Sequence, residues 1–409
     1  LYIGANYSTE DRTGGDVNYI KGESTSGFFE TNNSDRFSTQ FSFQHRFGRC
    51  SHITFKNSYN LFDRVLSQPG YVFNGTQHGS FTEFTYASHG DIAEWITGVN
   101  LLTEDFREVQ STSTPLRNYS QLTAGVFVQN NWKLNEKVHL ESGIRGDAVR
   151  DYGFALLPRI SALFKWSANL SSRIGGGLGY KAPTIFTEES ERLQYRNVLP
   201  IDKDRNKLER SYGVNADINY KTRLAGGAVS FSFNHLFFYT RINDPLLLQP
   251  DAGNYRFNNV SGHIDSRGME TNLKLGYRDF KLFLGYTFTD AYLHQGNIKS
   301  ASFLTPRHRL NSVLLYEVHE KWKVGLEGYY FSPQKLSDGA TGKSFWVTGF
   351  MVEKLWEKIS LYINFENFLD ARQTRFDSIY TGSISNPQFR DIYAPLDGFV
   401  ANGGVKLRL

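Results

Sequence analysis

The sequence predicts an all-β protein, a transmembrane antiparallel up-and-down β-barrel, with about 18 strands in 409 residues read as one domain, 1–409. Three observations predict it. Segments of about ten residues alternate strictly between apolar and polar side chains, the length at which a tilted strand crosses a bilayer. The connections between them come in two kinds, short and long, that take turns along the chain. Aromatic residues are abundant, with 33 Phe, 23 Tyr and 6 Trp.

The strands read as follows. Over 36–47, Phe37, Phe41, Phe43 and Phe47 share a face with Thr39 and His45, while Arg36, Ser38, Gln40, Ser42, Gln44 and Arg46 share the other. Over 228–239, Val229, Phe231, Phe233, Phe237 and Tyr239 oppose Ala228, Ser230, Ser232 and Asn234, with Leu236 and Phe238 breaking the pattern. Over 280–289, Phe280, Leu282, Leu284, Tyr286 and Phe288 oppose Lys281, Gly285, Thr287 and Thr289. Near the end, Ile359, Leu361, Ile363 and Phe365 oppose Ser360, Tyr362, Asn364 and Glu366. Each has one oily side and one wet side.

Short connections fall at 48–50, 134–137, 166–169, 278–279, 318–321 and 357–358, and long ones at roughly 10–41, 62–80, 103–118, 180–210, 240–265, 290–308, 331–344 and 370–395. Short and long are expected never to change places, which places tight turns on the periplasmic rim and extended loops outside. An even strand count puts both ends at the periplasmic rim. Trp132, Trp166, Trp322 and Trp356 sit beside short turns, as a periplasmic aromatic girdle would. In hydrocarbon an unpaired backbone amide costs several kcal/mol, so the sheet is expected to close on itself.

Composition removes other classes. The single Cys50 excludes an internal disulfide framework and a multi-cysteine metal site. A net charge of +4 is too slight for a nucleic-acid binder that works through a strongly basic surface. No apolar run approaches the length of a membrane-spanning helix. With no initiator Met and no leader-like opening, the chain reads as a processed or truncated product. Enzyme motifs fail as well. Gly342-Lys343-Ser344 lacks the earlier Gly of a phosphate loop and runs into a strand, the glycine run 175–179 lies within a strand with no helix after it, and there is no His-Glu-x-x-His. No enzyme activity and no cofactor are expected.

Several segments carry a family resemblance. Gly179-Tyr180-Lys181-Ala182-Pro183, followed by Thr184-Ile185-Phe186-Thr187-Glu188-Glu189, resembles the arginine-alanine-proline box of TonB-dependent receptors, with Lys181 in place of Arg. Val128-Gln129-Asn130-Asn131-Trp132-Lys133-Leu134 with Gly143-Ile144-Arg145-Gly146-Asp147 resembles that family's paired central strands. Ser266 to Glu270, Pro306 to Leu310, Glu366 to Asp370 and the closing Asn402 to Leu409 agree in order and spacing, although Leu409 replaces the usual terminal aromatic.

The resemblance implies an outer-membrane receptor with a 22-stranded barrel and a globular plug that engages TonB. This chain then corresponds to the C-terminal part of the barrel, with four strands and the plug outside it; a complete smaller barrel without a plug is the alternative. The implied partners are outer-membrane lipid of a Gram-negative cell, the TonB complex, an iron chelate, and a surface lipoprotein. A ferric siderophore is the expected nutrient, ahead of cobalamin or haem in the same family; a passive porin and an adhesin are the alternatives of another class. A haem receptor presents an axial His after the box, and 184–210 contains none, while His263 and His294 lie in other loops. Asp202 and Asp204 with Glu188, Glu189 and Glu191 match no Ca²⁺ loop, so no metal site is expected.

Ligand specificity belongs in the long loops, with candidates Tyr180, Arg192, Tyr195, Arg196, Tyr239, Arg241, Tyr255, Arg256, Phe257 and Tyr380. Aromatic rings with arginines suit a large planar or anionic ligand through stacking and cation–π contact. Arg145 and Asp147, with Gly175, Gly177 and Gly179, are expected on the lumen face toward a plug, the glycines leaving room for another backbone.

Overall fold

The computed structural model describes residues 1–110 and 114–407. The wall starts with β1 (Tyr2–Gly15), β2 (Phe29–Phe47), β3 (Ser51–Gln68), β4 (Tyr71–His89), β5 (Ala93–Gln110) and β6 (Tyr119–Lys133). It continues through β7 (Val138–Val149), β8 (Gly153–Lys165), β9 (Leu170–Lys181), β10 (Glu209–Leu224) and β11 (Val229–Asn243). A loop hairpin of β12 (Leu246–Asp251) and β13 (Asn254–Asn259) interrupts it. The wall resumes with β14 (His263–Tyr277), β15 (Phe280–Gln295), the small flap β16 (Ile298–Ala301), β17 (His308–Val318), β18 (Trp322–Phe331), β19 (Phe345–Leu355) and β20 (Ile359–Glu366). A second loop hairpin, β21 (Tyr380–Ser383) and β22 (Asn386–Phe389), precedes the last strand, β23 (Val400–Leu407).

Nineteen strands share one sheet; without the flap β16, 18 form the wall, each antiparallel to the next in chain order. The up-and-down fold expected from alternation is present. Cross-strand register keeps the oily side continuous: Phe37 pairs with Leu61, Phe55 with Phe84, Phe84 with Val99, and Val99 with Val126. Farther round, Leu273 pairs with Leu284, and Val352 with both Val324 and Ile363. The opposite face is polar, with Asn234 reaching Asn219 at 2.9 Å and Lys281 reaching Glu317 at 2.6 Å.

The girdle is fuller than expected. Trp95 joins Trp132, Trp166, Trp322 and Trp356 near the short-turn rim, all at least 40% exposed, and Trp346 lies near the opposite rim. Lys354 sits on the oily face between Trp322 and Trp356, its Nζ 4.4 Å and 5.7 Å from the two ring centres. That placement lets the stem stay in an apolar band while the ammonium reaches the interface.

Three expectations need correction. Segment 62–80 is not a loop: β3 and β4 run on to a tight turn at Pro69-Gly70. Likewise β1 and β2 stay paired out to Gly15 and Phe29, leaving only 16–28 as the connection. Beyond the bilayer the outer face no longer meets lipid and loops can cover the inner one, so the lipid-face alternation fades while the ladder continues. A second tight connection occupies the long-loop rim at 150–152, so short and long do change places there.

The third correction concerns closure. Among the described residues β1 pairs only with β2 and β23 only with β20, and the sheet is open. Alternation reports which face meets lipid. It carries no information on how far a sheet curls or which strand meets the last. Arg408 and Leu409, which end the family-like closing segment, lie outside the described residues, as do 111–113 within the expected loop 103–118.

Candidate functional site

Apolar packing concentrates at the long-loop rim, where the segment after Lys181-Ala182-Pro183 folds into the mouth of the sheet. The largest buried cluster joins Leu66, Tyr71, Phe73 and Phe106 of the wall to Ile185, Tyr195, Val198 and Phe257 of the loops. All four wall residues lie on the polar-side face or at the tip of β3–β4, which identifies that face as the inner one. Gln121 Nε2 donates to the Pro183 carbonyl at 2.8 Å, fixing the entry of the loop against β6.

Inside the loop a short helix, α1 (Glu188–Arg192), starts at Thr187, whose hydroxyl accepts from the Ser190 amide at 3.3 Å. Gln194, Tyr195 and Asn197 then adopt positive φ of 53°, 61° and 58°. Three left-handed non-glycine residues so close together are costly and persist only when their surroundings hold them. Arg117 does so. Its guanidinium is 1% exposed, pairs with the buried Glu108, lies 5.1 Å over Phe73, and donates to the carbonyls of Tyr195 and Val198. The Tyr195 ring stacks on Phe73 with centroids 4.4 Å apart.

Two further ion pairs tether this segment. Arg64 on β3 donates to both carboxylate oxygens of Glu191, at 3.0 and 2.6 Å, and the Tyr195 hydroxyl donates to the same group at 2.5 Å. Arg192 reaches across to Asp391, 2.5 Å away, which also accepts the Ser337 amide. Burial pushes both carboxyls up, but these donors win and hold Glu191 and Asp391 below their ordinary values. Burial, then Glu191, pushes the Tyr195 hydroxyl well above the usual phenol range.

A pH dependence follows. Lowered folded values mean that the stabilisation is complete above the ordinary carboxyl values of 4.5 and 3.8 and is lost as pH falls through the folded ones. A spin label at the exposed Glu189 is expected to stay immobile from neutral pH down to about pH 4.5 and to gain mobility only as the pH falls further, through the lowered folded values. Mobility that already rises between about pH 7 and pH 5 would contradict the tethers.

The structure brings some of the candidate residues together and separates others. Tyr195 and Phe257 are buried in the cluster, 2% and 1% exposed. Tyr255 forms a parallel bridge with Val198, and Arg256 pairs with Asp251 at 2.6 Å within the β12–β13 hairpin. Arg196 is exposed at the mouth, its guanidinium 5.2 Å over Tyr71. Tyr180 donates to Asp147 at 2.9 Å. Tyr239 and Arg241 are not loop residues: they lie on β11, on the outer face in register with Val214 and Tyr212. Tyr380 lies in the β21–β22 hairpin, paired with Phe389.

On the inner wall Arg145 Nε donates to Asp147 at 2.8 Å, and its Nη2 to Asn100 Oδ1 at 3.1 Å. Gly125 makes this network possible, since a Cβ there would stand 2.4 Å from Asp147 Oδ1 and 2.5 Å from Asn100 Oδ1. Gly175, Gly177 and Gly179 lie on the inner face of β9, opposite Asn215, Gly213 and Ser211 of β10. With Gly213 they make a wall patch nearly free of side chains.

Sequence reading missed two inner-face arginines. Arg36 lies 4.8 Å over Phe62, and Arg309 lies 4.9 Å over Phe331. Both members of each pair sit on adjacent strands at matched register, Arg36 opposite Phe62 and Arg309 opposite Phe331. The signal was their wet-face parity; what it lacked was the partner strand's register.

Residues 2–368 match the protein family described as TonB dependent receptor-like, beta-barrel. The chain belongs to the TonB-dependent receptor family. Such receptors are outer-membrane proteins of Gram-negative bacteria and transporters, not enzymes. The receptor fold is shared with solved structures at low identity. The ferric-catecholate import receptor Fiu from E. coli K12 is 12% identical, with a TM-score of 0.70 over 99% of this chain and 71% of Fiu. The siderophore receptor PirA from Acinetobacter baumannii is 14% identical, with a TM-score of 0.64 over 93% of this chain and 62% of PirA. The copper transporter OprC is 12% identical, with a TM-score of 0.72 over 94% of this chain and 69% of OprC. This receptor chain therefore spans about two thirds of the length of the proteins it resembles.

Proposed function

We propose that this chain is wall and mouth of a TonB-dependent receptor that takes up a ferric siderophore of the anionic catecholate class. The observation that carries the reading is the set of exposed arginines held on aromatic faces along the inner side: Arg36 on Phe62, Arg196 on Tyr71 and Arg309 on Phe331. Stacked guanidiniums present fixed positive charge beside aromatic surface, which matches an iron complex with flat rings and negative charge. Arg192, Tyr195, Tyr255, Arg256 and Phe257 shape the loop that borders this set, and Tyr180 ties it to the wall. In this reading Tyr239, Arg241 and Tyr380 stand apart from the ligand.

The inner polar network and the glycine patch on β9 face a plug through which TonB acts, and the free edges of β1 and β23 pair with further strands to close the barrel. In the same reading a surface lipoprotein delivers the iron chelate at the long-loop rim.

The test is binding by the complete receptor purified in detergent. A ferric tris-catecholate is expected to bind tightly, a neutral ferric hydroxamate at least tenfold more weakly, and the pair of changes Arg196→Ala and Arg309→Ala to remove most of that preference. Equal binding of both chelates, or steady ion conductance in a planar bilayer with no chelate binding, would overturn the reading in favour of another nutrient or a passive porin.

A further inference from the structure

We propose that His263, Asp265 and His294 form a binding site for one divalent transition-metal ion of the copper and zinc class on the outer rim of the wall. These three residues form the one His/Cys/Asp/Glu group among the described residues whose ligand atoms converge, all within 4.8 Å of one another. Their sequence positions do not reveal it. The ladder does, because β14 and β15 pair His263 directly with His294, and Asp265 follows two residues later on the same face.

The backbone fixes this arrangement. Gly262, with φ 142°, lies so close to β15 that a Cβ there would stand 2.0 Å from the His294 carbonyl oxygen. Directly after it, the His263 ring stacks on His294 with centroids 4.4 Å apart and planes 7° from parallel. His294 Nε2 is 2.5 Å from Asp265 Oδ1. All three side chains are half-buried.

Two imidazole nitrogens and one carboxylate oxygen are a donor set for Zn²⁺ or Cu²⁺, with about 2.0–2.2 Å bonds and a remaining position for water. The three donor atoms already lie within 4.8 Å of one another. Imidazole and carboxylate ligands bind the ion in their deprotonated forms, so binding weakens on acidification. Arg241, opposite Asp265 in the ladder, and Tyr292 and Lys299 on the neighbouring strands also face this group. Arg241 Nε is engaged by Asn243 at 3.0 Å, and Lys299 lies 3.8 Å over Tyr292. The group shares its face with Phe288 and Leu284, on the outside of the wall. It is therefore separate from the inner arginine set, and it stands or falls independently of the ligand proposed above.

The experiment titrates the chelator-stripped receptor in detergent with Cu²⁺ under electron paramagnetic resonance and with Zn²⁺ in a calorimeter. One tightly held Cu²⁺ with hyperfine splitting from two nitrogens is expected. His263→Gln and His294→Gln should each weaken both metals at least tenfold and reduce the splitting to one nitrogen, while His308→Gln, also on this side of the sheet, should change neither. Heat-modifiable gel mobility identifies variants that still fold. Two-nitrogen coordination that survives both substitutions, or metal uptake no tighter than in the double variant, would overturn the site.

Discussion

Glu108→Ala is expected to release the 182–208 segment from the mouth and to cost about 3–5 kcal/mol, the range for leaving one member of a buried ion pair without its partner. Arg117 would then keep a charge at 1% exposure with nothing to balance it. The segment it holds includes the left-handed run Gln194, Tyr195 and Asn197, which has no reason to persist once the Arg117 contacts to the Tyr195 and Val198 carbonyls loosen. Limited proteolysis of the folded receptor should cut within 182–208 many times faster in the variant, with the wall intact. Replacing both partners together, Glu108→Leu with Arg117→Met, should recover part of the loss, because an apolar pair has no buried charge to compensate. Unchanged cleavage in Glu108→Ala would show that the aromatic stack of Tyr195 on Phe73 suffices alone.

Leu284→Arg is expected to destabilise the inserted wall by about 2–4 kcal/mol, the cost of a basic side chain on the lipid face near the bilayer midplane. Leu284 lies on β15 between Leu273 and Ser312, on the face that carries Phe280, Leu282 and Phe288. The companion change Asn272→Arg, on the inner face of β14 opposite Gly285, should stay within about 0.5 kcal/mol, since the added charge remains in water. Denaturant titration of the protein folded into lipid vesicles measures both. Equal effects would mean that the two faces do not meet different solvents.

How much of this was legible in the sequence depends on the physics behind each feature. The wall was legible because a face in lipid must be apolar residue by residue, so Phe37 to Phe47 and Ile359 to Phe365 announce themselves. The outer halves of β1 to β4 were not, since Ser8 to Thr13 have no lipid face and Phe62 to Asn74 turn Leu66 and Phe73 inward against packed loops, so the lipid-face alternation stops there. The aromatic and arginine content of the loops was legible as composition, yet the sorting was not. Tyr195 and Phe257 turned inward into packing, Arg196 stayed at the mouth, and Tyr239 faces outward, because those outcomes depend on which loop lands against which wall. His263 and His294 looked like isolated loop residues until the register placed them side by side.

The central claim is that successive residues of each wall strand face lipid and water in turn. With Cys50 and any cysteine outside these 409 residues replaced by Ser, single spin labels can be placed from Leu282 to Phe288 on β15. In lipid vesicles, labels at 282, 284, 286 and 288 should be accessible to oxygen, and labels at 283, 285 and 287 to a water-soluble nickel complex, with a period of two. Uniform access to the nickel complex along the strand, or a receptor that stays folded and monomeric with no lipid or detergent, would contradict it.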